Sequence, residues 1–509
     1  MGVYPFDRTG VRRGTDGVLR YDSLPASLVA SLAAQAERVP GEEAVVEVGG
    51  ERLTYAGLWD RASRVAGGLR SQGVRRGDRV AVRLPNGVPW ALGFLGTLLA
   101  GGVAVPVNTR FTAEEAAHVV GDSGAAVVLD GTDLPDGPPV ADDGLGGDDL
   151  AAIFYTSGTT GAPKGACLTH AGLLSITEST RRIRTVDEGV GHRNLVSVPL
   201  FHVTGCNSQF LSMLYVGGTA VLLPSFTVPG FLGALESERI TMSTSVPAIY
   251  WLALQSPELA GRDVSRLQQL SYGGAPIAPE LVARLAGAFP NARLGNGYGL
   301  SEVGSVATYL PHEWALRRPE SVGFPIPVGD VRVDADGSET GVEGQLLLRG
   351  PHVAAGYWGM PERTAETFVD GWLRTGDIAS VDGPGESEGV VTILDRAKDM
   401  VCRGGENVYS LEVENVLSAH PSVGEVAVVG VPDEVMGEKV GAAFVPVPGV
   451  PFDMDAVLAH ARDRLADFKV PEYVAVRSEP LPRNPGGKVL KPLVRADAAW
   501  SAVPRVRRR

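Results

Sequence analysis

The segment Tyr155 to His170, YTSGTTGAPKGACLTH, sets the hydroxyls of Thr156, Ser157, Thr159 and Thr160 among Gly158, Gly161 and Gly165, with Lys164 close behind. Glycines let successive backbone amides close around an anion, hydroxyls donate to its oxygens, and a lysine adds positive charge. That chemistry suits a polyphosphate. The order Pro163, Lys164, Gly165 excludes the Walker A loop, in which Gly-Lys-Ser/Thr opens a helix. Of the chain's 46 basic residues only six are lysine, at 164, 398, 439, 469, 488 and 491. Surface charge is served equally well by arginine, whereas a compact ammonium on a flexible stem is specific to lysine. Each lysine retained in so arginine-rich a chain is therefore a functional candidate.

Four further motifs follow in order: GNGYGLSE at Gly295 to Glu302, GWLRTGD at Gly371 to Asp377, DRAKDMVCRGGENVYSLEVE at Asp395 to Glu414, and PRNPGGKVLK at Pro482 to Lys491. Together with the hydroxyl-rich loop they resemble the signature set of the acyl-adenylate-forming superfamily, the group of acyl-CoA synthetases, beetle luciferases and adenylation domains of peptide synthetases. The similarity runs from about Leu53 to Lys491, and its look is closest to acyl-CoA synthetases.

The resemblance implies a site for ATP. Thr156, Ser157, Gly158, Thr159, Thr160 and Lys164 would hold its phosphates, and the turn Gly273, Gly274, Ala275, Pro276 would pack along adenine, where missing side chains permit close approach. In GNGYGLSE, with Asn296, Gly297, Gly299 and Ser301 around it, Tyr298 offers an aromatic face for the base, and Glu302 offers a hard carboxylate for Mg2+. Ser301 stands where the family usually has threonine, so a hydroxyl is retained. Asp377 resembles the carboxylate that accepts from both ribose hydroxyls, with Arg396 as its partner.

Lys488, after Pro485, Gly486 and Gly487, is expected to neutralise charge as a carboxylate attacks the α-phosphate; Lys491 is its rival. Lys398 takes the family's hinge position, about which a small domain rotates between two half-reactions, and Gly404 and Gly405 would then lie near an incoming thiol. His202, in PLFHVTG, resembles a gate beside the acyl site. Peptide-synthetase domains for α-amino acids carry an aspartate in this segment, and none stands between Pro199 and Phe210. An uncharged acyl or aryl tail is therefore expected, in a pocket lined by His202, Val203, Val246, Gly273, Gly297 and Val303.

The elements that must position these residues read as α/β. After Thr54, a plausible N-cap, Leu58, Ala62, Val65, Ala66 and Leu69 recur at helical spacing, and Gly73 ends the helix. Arg79 to Leu84, Val88 to Ala100 and Val103 to Val107 then make a βαβ unit. Gly131 to Asp149 reads as an exposed linker, and the insertion-like DGPGESEG at Asp382 to Gly389 as surface loop variation. Short strands dominate from about Phe289 to Leu394. The expectation is a large N-terminal domain over residues 1–395, with parallel and mixed sheets covered by helices plus a distorted β-barrel region. A small mobile α+β domain over 396–509 would follow.

With 509 residues, 44% of them hydrophobic, the chain exceeds what one core supports. A net charge of -13 argues against general affinity for nucleic acid or anionic membrane. Three scattered cysteines, Cys167, Cys206 and Cys402, give neither a disulfide framework nor a metal cluster, which fits a reducing, cytoplasmic setting. The apolar run Trp90 to Val107 is interrupted by Gly93, Gly96, Gly101, Gly102 and Pro106, so a buried helix and strand are expected rather than a membrane span. The expected reaction joins a carboxylic acid to coenzyme A through acyl-AMP. A carrier-protein acceptor, a catalytically silent binding protein of the same fold, and a homodimer stay open.

Overall fold

The Thr54 hydroxyl accepts from the Gly57 amide and so caps the helix Tyr55–Ser71, whose face of Leu58, Ala62, Val65, Ala66 and Leu69 is buried. Arg79–Val82 and Val103–Pro106 pair in parallel, with the helix Val88–Leu99 between them. This is the expected βαβ unit. The structure is a computed structural model that describes residues 4–156, 163–187, 189, 191–334, 343–404, 406–483 and 488–503.

The chain divides into two compact units. The first comprises 1–332, 347–374 and 382–391; the second comprises 333–346, 375–381 and 392–509. Two sheets organise the first. One has five strands in the order Val127–Leu129, Arg79–Val82, Val103–Pro106, Leu150–Thr156, Lys164–Thr169, parallel except for the last. The other has nine, running from Phe324–Pro325 through Thr308–Leu310, Arg293–Tyr298, Gln269–Gly273, Met242–Ser245, Arg193–Val196, Thr219–Leu222 and Glu43–Glu47 to Arg52–Thr54. Its middle is parallel and its two ends are antiparallel. The helix His170–Ile183, opened by Thr169 as N-cap, and the helix Val88–Leu99 are buried along most of their length. Trp90 stacks on Phe94 at 5.0 Å and meets Phe210 edge-on at 6.0 Å. A curled sheet of five strands, Asp330–Asp334, Glu343–Arg349, Trp372–Val381, Phe368–Val369 and Val391–Arg396, is the half-barrel anticipated as a distorted barrel.

In the second unit, Val423–Asp433 and Gly437–Pro446 form an antiparallel pair to which Tyr473–Val476 adds in parallel. Val413 and Leu417 from the helix Ser410–Ser418 pack with Val428, Phe444 and Leu458 beneath it.

The stretch after Gly131 is largely exposed, as expected, and is also strapped to the helix Tyr55–Ser71: Asp136 pairs with Arg64 at 2.7 Å, Asp142 with Arg70 at 2.9 Å, and the Val140 amide donates to the Ser63 carbonyl. A Cβ at Gly67 would sit 1.9 Å from the Pro138 carbonyl oxygen, which accounts for a glycine pair inside a helix. Trp90 to Val107 is the buried helix and strand expected, and no helix among the described residues is long and apolar enough to cross a membrane.

Candidate active site

The strand Leu150–Thr156 runs antiparallel to Lys164–Thr169 and its last partnered residue, Thr156, faces Lys164. Ser157, Gly158, Thr159 and Thr160 lie outside the described residues, as does Gly405. The flanks are firmly set: the Tyr155 hydroxyl donates to Asp122 at 2.6 Å, and Gly165 leaves room for Ile153 and the Tyr155 ring.

Lys164 and Glu302, 138 positions apart in the sequence, meet at a residue that the motifs did not single out. The Tyr357 hydroxyl donates to Glu302 Oε1 at 2.8 Å, and Lys164 Nζ stands 5.5 Å over the same ring. Burial, more than the nearby Arg363, holds the Lys164 ammonium below its usual range, and Glu302 acts the other way. Glu302 keeps its second carboxylate oxygen without a hydrogen-bond partner among the described residues, so the group fits a divalent cation carried in on phosphates. No cluster of three or more ligating side chains exists among the described residues. A single carboxylate is what Mg2+ bound chiefly by phosphate and water requires.

The glycines beside Glu302 are demanded by backbone approach. Gly273 faces Gly297 across adjacent parallel strands, and a Cβ on it would lie 2.2 Å from the Gly297 carbonyl oxygen. A Cβ on Gly299 would lie 1.5 Å from the Ser305 carbonyl oxygen. Gly274 has φ +74 and abuts Val246, which joins the turn Gly273 to Pro276 to the expected acyl pocket. Tyr298 and Ser301 are half-buried on this rim. Asn296 turns away from it: its amide donates to the Ser321 carbonyl at 3.0 Å in the interior.

Around His202 the chain makes a π-helix, Thr204–Leu211, a form often found at functional sites. The His202 ring lies 4.6 Å from that of Phe201 and is half-buried. Val203 is buried, Val246 half-buried, and Val303 wholly enclosed. Asn207 donates to the Gly304 carbonyl at 2.6 Å, and the Ser208 and Ser305 hydroxyls stand 2.6 Å apart. Ser305 holds φ 147, unusual for a residue with a side chain.

Within the second unit, Asp377 is 5% exposed and lies 3.5 Å from Arg396. Desolvation holds Lys398, an exposed residue, below the usual lysine range. Gly404 has φ +58, and a Cβ there would meet the Met436 methyl at 2.3 Å. Lys488 is exposed, and Lys491 is tied to Glu414 at 2.7 Å and to the Ser410 hydroxyl at 2.6 Å. Lys439 pairs with Asp433 and Lys469 with Glu412. Half of the six lysines are thus structural.

The chain matches the family described as AMP-binding enzyme over residues 32–143 and 132–358, and the AMP-binding enzyme C-terminal domain over 412–488. It is 38% identical over 486 residues to a feruloyl-CoA synthase of an Amycolatopsis species, covering 90% of this chain and 96% of that one. It is 36% identical over 478 residues to a long-chain-fatty-acid–CoA ligase of Mycobacterium tuberculosis, covering 87% and 93%. Among solved structures, ATP-bound MatB from Rhodopseudomonas palustris superposes with a TM-score of 0.82 at 32% identity, over 93% of this chain and 99% of that one.

Proposed function

The chain belongs to the AMP-binding enzyme family, and from that premise we propose how its residues divide the work of an AMP-forming acyl-CoA synthetase. The activity is ATP-dependent acid–thiol ligation. In the first step a carboxylate oxygen attacks the α-phosphorus of ATP, the bond to the bridging oxygen of the β-phosphate breaks, and acyl-AMP and pyrophosphate form. In the second, the sulfur of coenzyme A attacks the acyl carbon, the bond to AMP breaks, and the thiol proton leaves to solvent.

The observation that carries this reading is the meeting of Lys164, Tyr357 and Glu302 beside a rim of side-chain-free backbone. An ammonium held in a partly buried setting is a stronger counter-charge to phosphate than one in open water. Glu302, oriented by Tyr357, would hold Mg2+, which when bound offsets the charge developing on the phosphates. Gly273 and Gly274 let adenine lie against backbone, with Tyr298 as the aromatic face. Asp377 would accept from the ribose hydroxyls, with Arg396 3.5 Å away as its partner.

Lys488, exposed and preceded in sequence by Gly486 and Gly487, supplies the ammonium of the adenylation step; its rival Lys491 is ion-paired with Glu414. The hinge between domains 1–395 and 396–509 is Lys398, and Gly404 with Gly405 admits the thiol. His202 gates the acyl pocket. Three free thiols, two of them buried, support a cytoplasmic setting.

The test is pyrophosphate release under saturating Mg-ATP with aryl, alkyl and polycyclic acids, with and without coenzyme A. Acid-dependent release and a coenzyme A thioester are the expected result. Release that yields thioester only on a carrier-protein arm reassigns the acceptor; no release with any acid overturns the enzyme reading.

A further inference from the structure

Arg184, the residue that ends the helix His170–Ile183, is 6% exposed and makes no ion pair among the described residues. Its Nη1 donates to the Ser208 carbonyl at 3.2 Å and its Nη2 to the Thr244 hydroxyl at 2.8 Å, while Nε is buried with no partner. The ionisable groups that face it are the phenols of Tyr250 and Tyr309, with no carboxylate among them. A buried guanidinium is costly unless an anion or several acceptors compensate it. Here that compensation is incomplete.

Its two anchors point back to the acyl pocket. Thr244 lies two residues before Val246 along extended chain, so the two share a face at a spacing of about 7 Å. Ser208 lies five residues beyond Val203, one turn along the π-helix and on the same side. Through Ser208 and Thr244 the guanidinium is thus tied to the two segments that carry Val203 and Val246. Ser305, with its strained φ of 147, closes the same layer through its hydroxyl contact with Ser208. Arg184 also borders a small polar recess of about 20 Å³ shared with Gln269, Arg293, Tyr309 and His312.

We infer that Arg184 is a specificity-determining residue that reads the far end of the acid, and that the substrate carries an acceptor oxygen, as a carbonyl or a second carboxylate, remote from the reacting carboxylate. This rests on the adenylation reading; a carbonyl keeps the expectation of an uncharged tail, whereas a second carboxylate departs from it. A hydrocarbon end would leave the buried donor unpaired. An oxygen would complete it, and sites built to hydrogen-bond a substrate group discriminate strongly against analogues that lack it.

Octanoate, 7-oxooctanoate and octanedioate separate the possibilities in a pyrophosphate-release assay. The wild-type enzyme is expected to favour at least one oxygenated acid over octanoate by tenfold or more in kcat/KM, and which one identifies the acceptor. In Arg184→Met that ratio is expected to fall to about one whatever the absolute rate, and in Arg184→Lys to an intermediate value, with thermal unfolding recorded for both. A wild-type preference for octanoate, or a ratio unchanged in either folded variant, overturns the inference. Turnover of octanoate alone leaves adenylation standing, whereas release with none of these or the wider panel of acids removes the adenylation reading itself.

Discussion

The nucleotide rim and the acyl interior of the first unit are built by opposite means. On the rim, Gly273, Gly274, Gly297 and Gly299 keep side chains out of the way, and Lys164 and Glu302, with Tyr357 between them, supply charge. In the interior, side chains and carbonyls from four separate segments, at Arg184, Ser208, Thr244 and Ser305, make a hydrogen-bonded layer. A ligand that never changes can be held by backbone, which tolerates no side-chain variation. A ligand that differs between relatives is better held by side chains, where one substitution alters the fit without disturbing ATP.

The largest effect expected from this contrast concerns the phosphate chemistry. Lys488→Ala should lower adenylate formation about 10²-fold or more for every acid alike, yet still convert supplied acyl-AMP to thioester. Lys398→Pro should do the reverse, because a ring-locked φ opposes rotation at the hinge. A loss of both half-reactions in either variant breaks the assignment. Lys491→Met strands the buried Glu414, whose carboxyl is already pushed up by burial, and should cost about 3 kcal/mol of stability in thermal unfolding with no preference for one half-reaction.

Gly299→Ala probes a place where rim and interior touch, since the new methyl must displace the Ser305 carbonyl. A cost of about 1–3 kcal/mol is expected, with KM raised for both ATP and acid. A rise for ATP alone would separate the two regions. Tyr357→Phe removes one hydrogen bond to Glu302 and should raise the Mg2+ requirement by about tenfold at most, leaving acid preference unaltered.

The smallest effect near neutral pH comes from two buried histidines, His170 and His352, both pushed down to about 4 by burial. The unfolded chain binds protons at these groups below its own value near 6.5, before the folded chain does. Stability is therefore complete above that value and lost as pH falls from 6.5 towards 4, by up to about 1.4 kcal/mol per pH unit for each histidine. Chemical unfolding at pH 7 and pH 5 measures it.

The rim was legible in the sequence because its parts are contiguous: four residues from Gly273 and eight from Gly295 state their own geometry. Tyr357 was not, since nothing in its spacing ties it to Glu302; the sole hint is an aromatic pair between Gly356 and Gly359. Arg184, Thr244 and Ser305 were hidden for the same reason, being joined only by the folding of distant segments. The rarity of lysine separated Lys164 and Lys488 from the arginines but also drew in Lys439, Lys469 and Lys491, which hold ion pairs. The helix Tyr55–Ser71 was readable from its cap and apolar face, whereas the strap across Gly67 depends on a chain 71 positions away at Pro138.

The central claim is an acyl-AMP formed before any thiol takes part, and exchange of labelled pyrophosphate into ATP tests it most directly. With an accepted acid, Mg2+ and no coenzyme A, exchange is expected to be rapid and to vanish when the acid is omitted. Exchange that requires coenzyme A, or that proceeds equally without acid, would contradict it.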